Sequence, residues 1–332
     1  MFLLCIHLSC KSNPKADTLN DENKFDYKLP DEAGSLPVSV FSEVWAYVAS
    51  GNENALKKNL PITDIGYFAA SVNSAGKLID IPVRKKLSDY SGRVHLIAIC
   101  SGYALSHFVL VPGSNERKEL IADLINASKD FDGLQIDYEE IHRRDADNFL
   151  SFLSELKAGL GDKIFSIALP ARTRIITDEP QFNYAKIASI ADRILIMAYD
   201  ENWSGSQPGP VASMPWCQRV AKFAMEVIGN KKLIMGLPFY GRAWEDKNHA
   251  RAWISSGIGR IINEYNITDI KRDNGVPYFN YQAVLSVKVY YDDFYSLSAR
   301  MEMYKEEGVR SIGFWRLGYE DMAFWNLIEL GN

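Results

Sequence analysis

The segment at residues 131–140 carries polar side chains at alternate positions of an otherwise apolar stretch. Successive side chains of a β-strand point to opposite faces, so Gln135, Asp137 and Glu139 share one face of this segment. Crowding two carboxylates and an amide into one small volume costs desolvation and mutual repulsion. Titratable groups in such surroundings mark functional sites more often than supporting structure, so this segment is the first candidate for a catalytic site.

Two acids on one strand face suit the cleavage of a glycosidic bond. Their Cα atoms lie about 6–7 Å apart on a strand, and at that separation one carboxyl group is pushed towards its protonated form. An acid that stays protonated near neutral pH can protonate the leaving oxygen of a glycoside. Glu139, nearest the open end, is the better general acid, and Asp137 is better placed to orient and stabilise. A structural acid pair neutralised by Arg or Lys is the alternative interpretation.

Apolar runs alternate with amphipathic stretches from residue 40 onward and predict an α/β fold, a (β/α)8 TIM barrel. In that fold, functional side chains lie at the carboxyl ends of the strands, which is where Asp137 and Glu139 fall. The predicted strands are residues 44–48, 64–70, 94–100, 133–138, 164–169, 193–198, 233–237 and 311–315, and the predicted helices include residues 115–127, 145–160, 215–228 and 297–307.

The stretch between the seventh and eighth predicted strands is longer than one helix requires. It contains β-rich runs at residues 276–281 and 286–291, so a small α+β insertion at the rim is predicted for about residues 243–290. We expect residues 36–332 to form one catalytic barrel domain and residues 1–35 to form a leader and a polar tether.

Residues 132–139 resemble the signature of glycoside hydrolase family 18, written Asp-x-x-Asp-x-Asp-x-Glu. Residues 196–200 resemble the Met-x-Tyr-Asp of that family's sixth strand, residues 233–244 its seventh-strand signature, and residues 313–315 its eighth strand, which ends in a sugar-stacking Trp. The family contains chitinases, endo-β-N-acetylglucosaminidases and bacterial peptidoglycan N-acetylglucosaminidases. Residues 199–213 are similar to the bacterial subfamily that includes spore-cortex peptidoglycan hydrolases.

The resemblance implies retaining hydrolysis assisted by the 2-acetamido group of the substrate, without a cofactor. Glu139 would protonate the glycosidic oxygen and later act as the base for water. Asp137 would hold the acetamido N–H, and Tyr199 would hydrogen-bond the acetamido oxygen. The other residues expected to contact the sugar are Gln135, Met197, Asp200, Trp203, Tyr240, Arg242 and Trp315, with Trp315 as an apolar floor.

Some of these side chains have a structural alternative. Trp315 could belong to the core, and Met197 and Tyr199 share a strand parity that could simply fill the barrel interior. Trp244 and Trp253, like Trp203, could line the sugar groove or pack elsewhere.

Gln135 departs from the family pattern, because chitinases usually have an Asp at this position. An amide donates or accepts a hydrogen bond but adds no negative charge beside Asp137. We therefore expect Asp137 to ionise more easily here than in a chitinase, which would move the acidic side of the pH–rate profile.

Composition and charge exclude several other classes. The net charge of −5 and the absence of a Lys/Arg block argue against a nucleic-acid surface. Cys100 and Cys217 predict buried free thiols, and the spacing of the cysteines and histidines predicts no metal site. A divalent-metal site formed by the acids of residues 131–140 is a third interpretation, which the lack of a third inward acid disfavours.

The N-terminus is a short apolar run that ends at Cys10, too short to span a membrane. It resembles a bacterial lipoprotein signal with lipidation at Cys10, although no basic residue precedes the run and His7 stands where such signals usually carry Leu. An uncleaved cytoplasmic N-terminus is the alternative. We expect an exported monomer, secreted or held in the cell envelope, that meets the membrane only through a lipid anchor.

The expected function is hydrolysis of β-1,4 bonds next to N-acetylglucosamine, with peptidoglycan favoured over chitin. Two alternatives stay open. One is a sugar-binding, chitinase-like lectin on the same barrel, for which loss of Glu139 would be the usual sign. The other is an endo-β-N-acetylglucosaminidase that acts on glycans.

Overall fold

The apolar runs of the sequence form the strands of the structure, a computed structural model that describes residues 34–245, 248–282 and 286–331. The strands, in chain order, are β1 (Ser39–Phe41), β2 (Glu43–Ala49), β3 (Asp64–Val72), β4 (Leu78–Ile79), β5 (Arg93–Ile99), β6 (Gly133–Asp137), β7 (Ile164–Pro170), β8 (Arg193–Met197), β9 (Leu233–Pro238), β10 (Tyr240–Glu245), β11 (Asn248–Ile254), β12 (Lys271–Asp273), β13 (Val276–Gln282), β14 (Ser286–Tyr290), β15 (Ser311–Trp315) and β16 (Ile328–Leu330). The helices are α1 (Tyr103–Leu110), α2 (Asn115–Ala127), α3 (Ala146–Gly159), α4 (Tyr184–Ala188), α5 (Met214–Val227), α6 (Ser255–Glu264) and α7 (Phe294–Glu306).

Eight parallel strands close into a barrel. Their order around the sheet is β2-β15-β9-β8-β7-β6-β5-β3, and pairing of β2 with β3 completes the circle. Strand β4 adds to β3 in the antiparallel direction. Helices follow most barrel strands, as is usual for connections between parallel strands. The predicted (β/α)8 TIM barrel is therefore confirmed.

Side chains of the barrel strands alternate between two apolar layers. On β6, Leu134 and Ile136 point outward into the large core between the sheet and the helices. A second, smaller core fills the barrel interior and contains Trp45, Tyr47, Phe68, Ile97, Ala168, Leu195, Met197 and Ile234. The interior is thus a packed core rather than a pore, and polar groups on its inner face are removed from water.

A cluster of charges lies at the amino-terminal end of the barrel, opposite the carboxyl ends of the strands. Asp64 is buried and accepts two hydrogen bonds from the Arg93 guanidinium, at 2.6 and 2.7 Å. His95 Nε2 lies 2.7 Å from the same carboxylate. Glu43 forms a bidentate pair with Arg193, at 2.6 and 3.0 Å. These pairs join β2, β3, β5 and β8 at one end of the barrel.

The predicted α+β insertion between the seventh and eighth barrel strands is also confirmed. It is an antiparallel sheet of five strands, in the order β11-β10-β14-β13-β12, with helix α6 packed against it. The insertion begins at Tyr240, slightly earlier than the sequence predicts, because only Phe239 separates the end of β9 from the start of β10. The insertion therefore grows directly from the carboxyl end of a barrel strand.

Strand β1 pairs in parallel with β16, so the first and last strands of the described chain lie side by side. Cys100 and Cys217 are buried free thiols, as the sequence predicts. Among the described residues, no helix is long and apolar enough to cross a membrane. The proposed leader, with Cys10 and nearly all of the expected tether, lies outside the described residues.

Loss of the Asp64 carboxylate is expected to destabilise the barrel in a pH-dependent way. Burial raises the pKa of Asp64, but hydrogen bonds from His95 and Arg93 outweigh it and leave the pKa below its usual value. The carboxylate therefore stabilises the fold above the unfolded-state pKa of about 3.9, and this contribution is lost as the pH falls through the lower folded-state pKa. Asp64→Asn should lower the free energy of unfolding by about 3 kcal/mol at pH 7.

Urea unfolding at pH 7 and at pH 3 checks this expectation. The difference between wild type and Asp64→Asn should shrink at the lower pH. The exposed Asp89 offers a control, since Asp89→Asn should change stability little at either pH. A difference between wild type and Asp64→Asn that stays constant with pH would contradict the assignment.

Candidate active site

Strand β6 presents the predicted polar side chains at the carboxyl end of the barrel. Gln135 is fully buried, one step inside the barrel, whereas Asp137 and Glu139 are partly exposed at its mouth. Asp137 is the last residue of β6, and Glu139 follows two residues later. The alternation expected from the sequence is present, because the intervening Leu134, Ile136 and Tyr138 pack into the outer core.

Hydrogen bonds from two other strands fix the Gln135 amide. The Tyr47 hydroxyl on β2 donates to Gln135 Oε1 at 2.8 Å, and Gln135 Nε2 donates to Ser166 Oγ on β7 at 3.1 Å. Both the oxygen and the nitrogen of the Gln135 amide are therefore hydrogen-bonded to other side chains of the protein. Sequence reasoning missed Tyr47 and Ser166, although each occupies an inward position of its strand.

Burial gives Asp137 an unusual affinity for a proton. Its Oδ1 atom is buried and has no hydrogen-bond partner among the described residues. Desolvation of the charged form raises the pKa of Asp137 to about 7. The sequence predicts that repulsion from a neighbouring carboxylate keeps a proton on one of the acids. In the structure, burial is the dominant cause of the raised pKa of Asp137. Asp137 can thus exist in both protonation states near neutral pH.

Tyr199 lies beside both acids. Burial raises the pKa of its phenol well above the usual value, and the nearby Tyr240, Tyr47, Asp137 and Glu139 raise it further. The hydroxyl therefore stays protonated and can donate a hydrogen bond. Gly236 on β9 leaves room for the ring, since a Cβ atom there would lie 3.0 Å from Tyr199 Cε1.

Asp200, Tyr240 and Arg242 form one hydrogen-bonded group next to Tyr199. Asp200 Oδ1 accepts from the Tyr240 hydroxyl at 2.7 Å and from Arg242 Nε at 2.8 Å. Asp200 has a φ of 60°, a left-handed conformation that Asp tolerates better than most residues. The structure thus brings these three predicted residues together, and they use part of their hydrogen-bonding capacity in bonds to each other.

Trp315 forms part of the base of the mouth. Its ring packs on Phe68 and Tyr47, with centroids 5.0 and 5.5 Å apart, while the side chain stays partly exposed. Met197 lies below it and is 7% exposed, within the interior core. Trp315 therefore offers an apolar surface to the mouth, whereas Met197 mainly fills the barrel interior.

The other tryptophans lie in different surroundings. Trp203 belongs to the loop after β8, and its indole ring covers Gly205, where a Cβ atom would lie 2.4 Å from the ring. Trp244 is buried in the insertion against Val276 and Tyr290, so it does not line a groove. Its indole N–H donates to the Ser206 carbonyl at 3.2 Å and ties the insertion to the Trp203 loop.

The loops after β5 and β6 are also joined at the mouth. The Gly102 backbone N–H donates to Glu140 Oε2 at 2.5 Å, and Gly102 has a φ of 98° that favours glycine. The rings of Tyr103 and His142 lie 4.7 Å apart beside this contact. Within the described residues, no group of three or more His, Cys, Asp or Glu side chains is arranged to hold a metal ion.

Comparisons with known proteins give a matching family model, related sequences and a similar fold. The family model described as glycosyl hydrolases family 18 matches residues 49–320. The chain is 30% identical over 207 residues to YdhD of Bacillus subtilis, whose name describes a sporulation-specific glycosylase; the match covers 59% of this chain and 49% of YdhD. It is 25% identical over 208 residues to the cortical fragment-lytic enzyme of Bacillus anthracis, covering 59% of this chain and 48% of that enzyme. The chain thus spans about half the length of these two relatives.

A solved structure shows the same fold. A chitinase from Chromobacterium violaceum superimposes with a TM-score of 0.78 at 21% identity, over 86% of this chain and 97% of that chain.

Addition of a carboxyl group beside Asp137 is expected to raise its pKa further. In Gln135→Asp a second acid enters the buried face, and like charges disfavour ionisation, so the Asp137 titration should move at least about one pH unit above its wild-type midpoint. The acidic limb of the pH–rate profile should move in the same direction. Carbon-13 NMR of the carboxyl groups measures the midpoint directly.

Ser166→Ala is the matched control, because it removes a hydrogen bond from the Gln135 amide without adding charge. Its Asp137 midpoint should stay near the wild-type value. Superimposable titrations for wild type and Gln135→Asp would contradict the electrostatic argument.

Proposed function

The chain belongs to glycosyl hydrolases family 18 and is a glycosidase, and from this premise we propose that it cleaves β-1,4 bonds next to N-acetylglucosamine with assistance from the substrate's 2-acetamido group. One observation carries the proposal: Asp137, Glu139 and Tyr199 converge at the carboxyl end of the barrel, where substrates of this fold bind. This reaction requires three groups: a neutral hydrogen-bond donor, which is Tyr199, a buried carboxyl group, which is Asp137, and an acid at the mouth, which is Glu139.

Glu139 supplies the proton for the leaving group. In its protonated form it donates to the glycosidic oxygen as the bond from that oxygen to the anomeric carbon breaks. The carbonyl oxygen of the 2-acetamido group attacks the anomeric carbon from the opposite face and forms a cyclic oxazolinium ion. The Glu139 carboxylate then removes a proton from a water molecule, which attacks the anomeric carbon and opens the oxazolinium ring. Because the anomeric carbon is attacked twice from opposite faces, the product keeps the original configuration.

Asp137 and Tyr199 hold the acetamido group during this attack. The buried Asp137 Oδ1 has no partner within the described chain, and it can accept the acetamido N–H. Positive charge that develops on the oxazolinium ion favours the ionised form of Asp137, which counteracts the desolvation that raises its pKa. The Tyr199 hydroxyl, kept neutral by its raised pKa, donates to the acetamido oxygen.

The Trp315 ring provides the apolar surface under the sugar, and Asp200, Tyr240 and Arg242 form the polar side of the same mouth. Aromatic faces bind the apolar faces of sugar rings, and carboxylate and guanidinium groups bind hydroxyls. Trp203 and Gln135 complete the proposed binding set, with Gln135 acting through its support of the interior rather than through an exposed amide.

Bacterial peptidoglycan is the proposed polymer, in preference to chitin. The preference is supported by the similarity to the cortical fragment-lytic enzyme and to the sporulation-specific glycosylase. We also propose that the protein acts in the cell envelope, anchored through Cys10, because residues 1–10 resemble a lipoprotein signal.

Replacement of Glu139 should strongly reduce hydrolysis. Glu139→Gln removes the transferable proton and should lower turnover by about 10²–10⁴-fold, measured as reducing ends released from N-acetylglucosamine oligomers and from purified peptidoglycan. Glu140→Gln is the matched control: an amide oxygen can still accept from Gly102 N–H, so turnover should stay within about twofold.

Three outcomes would contradict parts of the proposal. Equal loss in both variants would show that the defect is not specific to proton transfer. Binding of the oligomers without turnover by wild type and Glu139→Gln alike would favour a sugar-binding lectin. Faster hydrolysis of chitin oligomers than of peptidoglycan would contradict the choice of polymer.

Location is tested separately from activity. If Cys10 carries a lipid, the wild type should fractionate with membranes and Cys10→Ala should not. The same distribution for both proteins would contradict the anchor.

A further inference from the structure

The loop between β8 and α5, residues 198–213, carries Tyr199, Asp200 and Trp203 to the mouth of the barrel. Hydrogen bonds join its two ends. Glu201 N–H donates to the Val211 carbonyl at 2.9 Å, and the Asn202 side chain donates to the Pro210 carbonyl at 2.8 Å. Ser213 N–H donates to Glu201 Oε2 at 2.7 Å. A shift of residues 210–213 would therefore move residues 201–202 and, through them, the neighbouring Tyr199 and Asp200.

Arg300 contacts the end of this loop that precedes α5. It lies on α7, is fully buried, and donates from Nη2 to the Ala212 carbonyl at 2.5 Å. The same Nη2 atom lies 2.9 Å from Asp292 Oδ1. Within the described residues, Nε and Nη1 have no hydrogen-bond partner, so these two contacts of Nη2 fix where the guanidinium lies.

Asp292 links Arg300 to the insertion. Its side chain is 1% exposed, follows β14 by two residues, and accepts from Ser296 Oγ at 2.7 Å. The next residue, Asp293, caps α7 and pairs with Arg272 of β12 at 2.7 and 3.2 Å. The exit of the insertion is therefore held in one place relative to the start of α7.

We propose that Arg300 and Asp292 are positioning residues. Their buried ion pair fixes the loop of Tyr199 and Trp203 relative to the insertion, so that the two sides of the sugar-binding mouth keep their relative positions. A buried guanidinium cannot leave its partner without exposing an unpaired charge to an apolar interior. Nη2 carries two N–H groups, so this one nitrogen donates to the Ala212 carbonyl and to the Asp292 carboxylate together. The inference rests on the proposed function for the statement that this loop binds sugar.

Arg300→Lys tests the proposal with the charge retained. A lysine side chain ends one bond short of Nη2, so it keeps the charge but cannot place its ammonium where Nη2 contacts both the Ala212 carbonyl and Asp292. Arg117→Lys is the matched control. Arg117 is also buried, donates to the Leu110 carbonyl at 2.7 Å, and lies on α2 outside the barrel. Both variants lose comparable buried contacts, but only Arg300 touches the loop.

Two measurements are made on the full chain. The first is amide hydrogen exchange over residues 200–213, which we expect to rise about tenfold or more in Arg300→Lys and to match wild type in Arg117→Lys. The second is the kinetics on N-acetylglucosamine oligomers. Misplacement of a binding loop should lower kcat/KM by about ten- to a hundredfold in Arg300→Lys, chiefly through KM, with Arg117→Lys near wild type.

The outcomes separate this inference from the proposed function. Equal exchange in the two variants, or a loss of activity of the same size in both, would overturn the positioning role. A wild-type protein that hydrolyses neither the oligomers nor purified peptidoglycan would contradict the proposed function instead, and the exchange measurement would still decide whether Arg300 holds the loop. Asp292→Asn, which keeps the shape of the partner, should reproduce the loop exchange of Arg300→Lys; wild-type exchange in this variant would remove Asp292 from the pair.

Discussion

Burial of the Asp137 carboxyl group against the apolar barrel interior is the constraint on which the site depends. The interior core of aromatic and aliphatic side chains excludes water beneath this carboxyl, and desolvation raises its pKa to about 7. The rings fit only because the backbone leaves room for them. A Cβ atom at Gly66 would lie 2.6 Å from the Tyr47 ring. The chemistry at the mouth thus follows from the close packing of the layer below it.

Around that constraint, the site is assembled from segments far apart in the chain. Tyr47 and Ser166 come from opposite halves of the barrel and meet at Gln135, while Asp200 and Arg242 meet across the start of the insertion. The insertion has its own small cores, one of which encloses Trp244. The insertion therefore packs around its own cores and can hold the neighbouring loop of residues 198–213 in place.

The sequence predicts the strands and the acidic face well because both are local patterns. Residues 133–137 alternate strictly, and apolar runs bounded by polar segments leave few alternatives to strands. The contacts of Gln135 are not predictable in this way, since nothing near Tyr47 or Ser166 in the sequence shows which strand each will face. Arg300 is hidden for the same reason: an Arg in a predicted helix is ordinarily solvent-exposed, and only the tertiary structure, which buries most of α7, buries this side chain. The burial of Trp244 likewise follows from the core of the insertion rather than from its neighbours in sequence.

The pairing of β1 with β16 has a consequence for the orientation of the whole molecule. The two strands end at the amino-terminal end of the barrel, where Gly331 N–H donates to the Phe41 carbonyl and Ser42 N–H donates to the Arg310 carbonyl just before β15. The seven residues of β2 then lead to the opposite end, about 23 Å away along the strand. The chain before β1 lies on that same side: the Pro37 carbonyl accepts from Ser298 Oγ near the start of α7, and Leu36 lines a cavity with Phe239 and Phe294. The described chain therefore enters the fold on the side of the mouth rather than at the base of the barrel.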